Sequence, residues 1–274
     1  MLGKLIKHEF RATARLMLPL FGVVMLLSLF MRIASHGVFR AENRSNLPFL
    51  DILNTLITSA FIIALIIVAV FSVVLMVSRF YKNLMTDEGY LMFTLPVSIH
   101  QLLWSKLIVA AVWFIATFLV EALAIAVVAL EGGMLHDLLD GFAQLLAELD
   151  AYYALNGAAF ALELLVLLLL SLIVSCLNFY APIAIGYSFS NHKTLLSVVF
   201  YFALSLFWQI VYVTLGVTGI TRLSTVSLPA AGNVSAAITL AHTTLFSTIG
   251  LLALTGAVMY VLTWYMLRRH RNLQ

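Results

Sequence analysis

The chain has 274 residues, of which 63% are hydrophobic and only 10% are charged, with a net charge of +3 and a mean hydropathy of +1.08. A typical soluble domain is about half apolar and about a quarter charged, so this composition excludes an ordinary soluble protein. The single cysteine, Cys176, excludes an intramolecular disulfide framework, a Cys-x-x-Cys redox pair and a zinc cage of cysteines. We therefore interpret the chain as an integral membrane protein.

Residues 1–15 form a basic, amphipathic segment. Its cations recur at spacings of three and four residues, and therefore on one stripe of a helix, at Lys4, Lys7, Arg11 and Arg15. Such a helix favours the membrane surface, where its cations meet anionic headgroups. We expect an interfacial helix over 1–15, with Pro19 allowing a kink into the bilayer. The alternative is a generic basic flank of the first membrane crossing.

Six long apolar segments occupy most of the chain. Each is close to or above the roughly 20 residues that one crossing needs, and lipid offers no hydrogen-bond partners to backbone groups outside a helix or a closed barrel. Their Leu-rich runs do not alternate with polar residues, which favours helices. We predict an all-α integral membrane protein, a single transmembrane domain over 1–274, with helices at 16–34, 55–78, 107–130, 157–181, 194–217 and 244–267.

The distribution of Lys and Arg predicts the orientation of these helices. Eleven such residues fall on the side of the two termini, and four, including Arg32, fall on the other side. Cytoplasmic loops carry the excess of Lys and Arg in membrane proteins. We therefore expect a multi-pass protein whose termini and 79–106 loop are cytoplasmic.

The stretch RFYKNLMTDEGYLMFTLPVSIHQLLWSK, at 79–106, is a polar island between the second and third predicted membrane helices. Ser98 and Gln101 have the spacing of a capping box, in which each side chain bonds the backbone amide of the other. Ahead of this cap, 80–85 is expected to form a short helix that ends at 86–89, where a glycine suits a chain reversal. The island is thus predicted to be a compact, charged helix and turn below the membrane.

The outer loop, 131–156, carries a second amphipathic pattern. Seven apolar residues between Leu135 and Leu149 fall on one helical stripe, whereas Asp137, Asp140 and Glu148 lie off it. We expect a short amphipathic helix there, on the membrane or over a cavity.

The island, with LIKHEFRAT at 5–13 and GYSFSNHK at 186–193, resembles ABC transporter permeases of the type-2 exporter class, the stand-alone subunits common in Gram-positive bacteria. The similarity covers the whole six-helix layout, but only the loop is specific. It implies a permease subunit in the bacterial plasma membrane, with a coupling helix between helices two and three. That helix docks on a separate cytoplasmic ATPase, and the residues expected to contact it are Phe80, Tyr81, Lys82, Asp87 and Glu88.

The resemblance also implies the remaining partners. We expect two ABC ATPase subunits that hold ATP and Mg, a second permease that is identical or related, membrane lipid, and an amphipathic peptide, drug or lipid-like cargo that is exported. The chain contains no Gly-x-x-x-x-Gly-Lys-[Ser/Thr] loop. We therefore expect no ATP site or other cofactor in this chain, no enzymatic activity of its own, and no nucleic-acid partner.

Two carboxylates, Glu121 and Glu163, lie well inside predicted membrane helices. An ionisable residue there costs on the order of 3 kcal/mol and is by default a functional candidate. Three interpretations remain open: a structural pair with Arg32 or a hydroxyl, the polar wall of a substrate route, or a proton site. A proton site would favour a proton-coupled secondary transporter as the alternative function. A third alternative is a membrane sensor or scaffold that transports nothing.

The histidines are scattered over both sides of the predicted membrane, and none forms a pair at metal-ligand spacing. No Gly-x-Ser-x-Gly elbow is present either. We therefore predict no metal site and no hydrolytic or redox chemistry.

Overall fold

The computed structural model describes most of the chain as helices. Its described residues are 2–36, 48–94, 96–129, parts of 136–147, 157–225 and 234–269. Within them no strand occurs, and the helices are α1 (Leu2–His36), α2 (Pro48–Met85), α3 (Asp87–Thr94), α4 (Ile99–Ala129), α5 (Gly157–Gly186), α6 (Lys193–Thr225) and α7 (Val234–Arg269).

Six of these helices are long and apolar enough to cross a membrane. Among the described residues the candidate spans are Leu2–Ala34, Phe49–Met85, Ile99–Ala129, Phe160–Gly186, Lys193–Gly216 and His242–Arg268. Each contains or overlaps one of the six segments predicted from the sequence. The prediction of an all-α, multi-pass membrane protein is therefore confirmed for the described part of the chain.

The first helix differs from its prediction. It runs unbroken from Leu2 to His36 with Pro19 inside it, so 1–15 is continuous with the first candidate span, and its interfacial position stays a prediction. Proline removes only one backbone hydrogen bond, and membrane helices tolerate that loss. Side chains that lie on both sides of Pro19 at helical spacing, such as Thr13, Met17 and Phe21, are buried, so the helix is packed against the protein before and after the proline.

The short helix of the island also lies elsewhere than predicted. The second helix continues through 80–85 to Met85, and the short helix follows at Asp87–Thr94. Phe80 and Leu84 are both almost completely buried, one helical turn apart, so tertiary packing extends the membrane helix past the predicted boundary. The prediction of a separate helix over 80–85 is therefore wrong.

The chain divides into two compact units, which are described separately. Unit 1 comprises Met1–Met76 and Ile108–Gln144, and unit 2 comprises Val77–Leu107 and Leu145–Gln274.

In unit 1, Trp113 of α4 packs against α1. Its indole Nε1 donates a hydrogen bond of 2.7 Å to Thr13 Oγ1. The ring stacks on Phe10 at 4.8 Å and lies tilted against Phe21 at 5.9 Å between centroids. Thr13 in turn donates to the carbonyl of Glu9 at 2.9 Å. The buried hydroxyl of Thr13 is thus satisfied inside the protein.

In unit 2, α5 contacts both α6 and α7. The end of α5 meets the start of α6 at Gly186, where an added Cβ would lie 2.4 Å from the backbone nitrogen of Ser197. The same helix also packs against the end of α2, because Tyr180 stacks face to face on Phe80 with 4.0 Å between ring centroids. The last turns of α2 are therefore fixed to α5.

Candidate docking surface and buried carboxylates

Residues 82–98, here called the connecting segment, comprise the last turn of the second candidate membrane span and the stretch that leads to the third, within unit 2. Its short helix, α3, lies directly against the end of α2. The amide of Gly89 donates to the Thr86 carbonyl at 2.7 Å, and a Cβ on Gly89 would lie 2.8 Å from the Leu84 carbonyl oxygen. Glycine is therefore needed for close approach to the helix. The reversal predicted at this position is instead a bend at Thr86.

The far end of the connecting segment is fixed by the capping box. The amide of Gln101 donates to Ser98 Oγ at 3.3 Å, and the amide of Ser98 donates to Gln101 Oε1 at the same distance. The reciprocal pair satisfies two amides that a helix start otherwise leaves without partners. This prediction from the sequence is confirmed, and α4 begins at Ile99.

Replacing Ser98 with alanine should fray the start of α4. Loss of a serine cap costs about 1 kcal/mol, which corresponds to about fivefold faster opening of the first turn. Hydrogen exchange of the amides at 99–103 measures this change. Ser247→Ala removes a hydroxyl that bonds a carbonyl in the middle of α7 and should leave exchange at 99–103 unchanged. Equal exchange in the Ser98 variant and the wild type would contradict the cap.

The residues expected to dock an ATPase fall into different environments. Phe80 is completely buried against Tyr180, so its ring supports the surface from inside. Lys82 and Glu88 are exposed. The ring of Tyr81 lies edge-on to that of Tyr187 at 5.2 Å.

For Asp87 the structure describes only the backbone, which begins α3. Of the charged residues expected to dock an ATPase, Lys82 and Glu88 are therefore the two whose side chains are described, and both lie at the surface of the connecting segment.

Glu163 has a partner that the sequence did not indicate. Its carboxyl oxygens lie 2.7 and 2.9 Å from Nδ1 of His242, so both are within hydrogen-bond distance of one imidazole nitrogen. The edge of Phe160 also faces the imidazole ring at 6.3 Å. Glu163 is only 9% exposed. The pair joins α5 to α7 at the first turn of both candidate spans.

The structural pair of Glu121 with Arg32 or a hydroxyl stays a prediction. Arg32 donates to the backbone carbonyl of Val127 at 3.0 Å, almost two helical turns beyond Glu121. Among the described residues, no hydrogen-bond partner occurs for Glu121 Oε1 or for Thr117 Oγ1, one turn earlier on α4. Buried polar atoms without partners are rare and call for an explanation. In the described part of unit 1, these are the two buried side-chain oxygens that have no hydrogen-bond partner.

The basic stripe of α1 is exposed along its whole length at Lys4, Lys7, Arg11 and Arg15. Its contact with lipid headgroups stays a prediction, and these four side chains are free of burial that would prevent it. The outer segment at 131–156 falls largely outside the described residues, and so does Glu148. Within the described part of it, His136 and Asp140 lie 3.5 Å apart and are both exposed.

No cluster of three or more His, Cys, Asp or Glu side chains that could hold a metal ion occurs in the described part of the chain. Comparison of the chain with protein-family models, curated proteins and solved structures finds no match. Function must therefore be argued from the membrane fold and the connecting segment.

Proposed function

We propose that the chain is the transmembrane permease subunit of an ATP-driven exporter of the type-2 ABC class. One observation carries the proposal: two exposed charges, Lys82 in the last turn of α2 and Glu88 in α3, stand on a connecting segment that is anchored at both ends. Contact with a motor protein requires such a rigid element, because a flexible linker would absorb the motion. The type-2 permease loop that 79–106 resembles is used for this contact.

The mechanism follows from how the connecting segment is held. An ATPase that closes on ATP pushes on α3, which rests on the end of α2 through Gly89 and Leu84. That end is stacked on Tyr180 of α5 through Phe80. A push is therefore transmitted to two membrane helices by packed rings and backbone rather than by side chains that can bend. Tilting of these helices opens a route between two permeases.

The remaining assignments complete this proposal. Both termini and the connecting segment face the cytoplasm of a bacterial cell, and the stripe from Lys4 to Arg15 rests on the anionic inner leaflet. ATP and Mg are bound by the partner ATPases. The cargo is amphipathic, and Glu121 and Glu163 contribute polar groups to its route.

Reversing the charge of the connecting segment should release the ATPase. The Asp87→Arg, Glu88→Arg variant places two cations where the proposed partner meets acids, and like charges at such a contact cost several kcal/mol. We expect ATP hydrolysis in the material co-purified from native membranes to fall at least about tenfold.

The matched control is Asp137→Arg with Asp140→Arg, which reverses two carboxylates in the outer segment. It should co-purify as much ATPase activity as the wild type. If no ATPase accompanies the wild type, or if both double variants retain it equally, the exporter assignment fails.

Proton-coupled transport is the second candidate, and it is favoured by the buried, unpartnered atoms of Glu121 and Thr117. An acid inside a membrane span can take up a proton instead of a protein partner. This function requires cargo movement in reconstituted vesicles driven by a pH gradient without ATP. Glu121→Gln should abolish that movement, whereas ATP-driven export should survive the substitution.

A further inference from the structure

Within unit 2, the start of α4 and the end of α7 align four rings and a guanidinium group in a continuous row. His100 and Trp104 lie one turn apart on α4, and Tyr260, Trp264 and Arg268 lie at successive turns of α7. Centroid distances are 6.0 Å for Trp104 and Tyr260, 5.8 Å for Tyr260 and His100, and 5.2 Å for His100 and Trp264. The guanidinium carbon of Arg268 lies 5.2 Å from the centre of the Trp264 ring. We call this row the aromatic ladder.

The aromatic ladder changes from apolar to cationic along its length. It begins with an indole at Trp104, continues through a phenol and an imidazole joined by a 2.7 Å hydrogen bond between Tyr260 Oη and His100 Nδ1, and ends at Arg268. The guanidinium over an indole face forms a cation–π contact, which holds the charge in place. The row is therefore apolar at the Trp104 end and cationic at the Arg268 end.

Its position matches a membrane boundary. His100 is the second residue of one candidate span, and Arg268 is the last residue of another. From Tyr260 to Arg268 the helix rises about 12 Å at 1.5 Å per residue, whereas the polar headgroup region on each side of a bilayer is about 5–7 Å thick. A row of this length is long enough to reach from the headgroup region into the upper part of the acyl chains, where Trp and Tyr are enriched.

The surface beside the ladder is open and lacks acids. Trp104 is 41% exposed and Tyr265 is 38% exposed, while Arg268 is also exposed. Neither 97–106 nor 256–274 contains an acidic residue, and the sequence continues after Arg268 with two further arginines. A ligand that complements this surface has an anionic group at one end and a hydrocarbon body at the other.

We propose that the aromatic ladder binds an anionic phospholipid, with its phosphate at Arg268 and its glycerol and acyl chains along Trp264, His100 and Trp104. A free phosphate ion would use only the cationic end and leave the exposed indole without a role. The inference is independent of the ATPase partner, because it concerns a lipid site on the isolated chain.

Tryptophan fluorescence offers a direct test. The chain has four tryptophans; Trp113 and Trp208 are at most 8% exposed, so quenching by lipid reports chiefly Trp104 and Trp264. The purified full chain is reconstituted in vesicles in which either phosphatidylglycerol or phosphatidylcholine is dibrominated. One arginine near the surface contributes about a fivefold preference for anionic lipid. In the wild type, we expect the lipid sites beside these tryptophans to prefer phosphatidylglycerol over phosphatidylcholine about fivefold.

Arg268→Gln should reduce this preference to near one, and Arg268→Lys should retain it. Lys193→Gln removes a cation from the start of α6, outside the ladder, and serves as the matched control, with the preference unchanged. Inorganic phosphate in the buffer should not compete. Equal quenching by the two lipids in the wild type, an unchanged preference in Arg268→Gln, or competition by free phosphate would each overturn the proposal.

Discussion

Substitution of Gly186 by alanine is expected to prevent stable packing of α5 on α6. The added Cβ would lie 2.1 Å from Ser197 Oγ, 2.4 Å from Ser197 N and 2.6 Å from Ser197 Cα. The hydroxyl can rotate away, but the backbone nitrogen and Cα can move only with the helix. Overpacking in a core typically costs 1–3 kcal/mol, and a clash with backbone belongs at or above the upper end. We expect at least about 3 kcal/mol of destabilisation, or roughly 100-fold in the folding equilibrium.

The measurement is the thermal unfolding of the purified chain in detergent, together with its yield as a monodisperse species. Gly250→Ala is the control, because an added Cβ at that helical glycine meets nothing within 4 Å. Removing a flexible residue from a helix interior should even stabilise the chain slightly, by about 0.5–1 kcal/mol. If Gly186→Ala and Gly250→Ala unfold at the same temperature, the close approach of α5 and α6 is not required for folding.

The membrane helices and the capping box were predictable because their signals are local. Length and composition are sufficient to recognise a span, and the box is a spacing of three residues between Ser98 and Gln101. The boundary of α2 was not predictable in this way. It depends on Phe80 packing against Tyr180, a ring a hundred positions later in the chain. Gly89, which suggests a turn by local rules, instead allows close packing against Leu84.

Two misjudged features show the same limit. Pro19 is a strong helix breaker by local rules, but α1 continues through it, packed against the protein before and after it. Glu163 was recognised as a costly carboxylate, whereas its partner His242 was counted among scattered histidines. The available clue was depth, because both residues fall near the same ends of neighbouring apolar runs. Spacing along the chain carries no information about contacts between helices.

The same contact leads to the second large prediction. His242→Ala should destabilise the chain strongly. It leaves the buried carboxylate of Glu163 without the imidazole nitrogen that both of its oxygens contact. Removing the partner of a buried carboxylate typically costs 3–5 kcal/mol. Unfolding in detergent by increasing SDS measures the loss. Phe160→Leu, which removes only the ring edge facing His242, is the control and should cost less than about 1.5 kcal/mol.

The double variant separates a charged contact from simple packing. Replacing a buried pair by apolar residues of similar volume is often neutral or stabilising, since neither desolvation cost remains. Glu163→Leu with His242→Leu should therefore unfold within about 1 kcal/mol of the wild type, although His242→Ala alone does not. If the double variant loses as much stability as the two single leucine variants together, the pair contributes by packing alone. Strong non-additivity instead identifies the carboxylate and imidazole as one unit that joins α5 to α7.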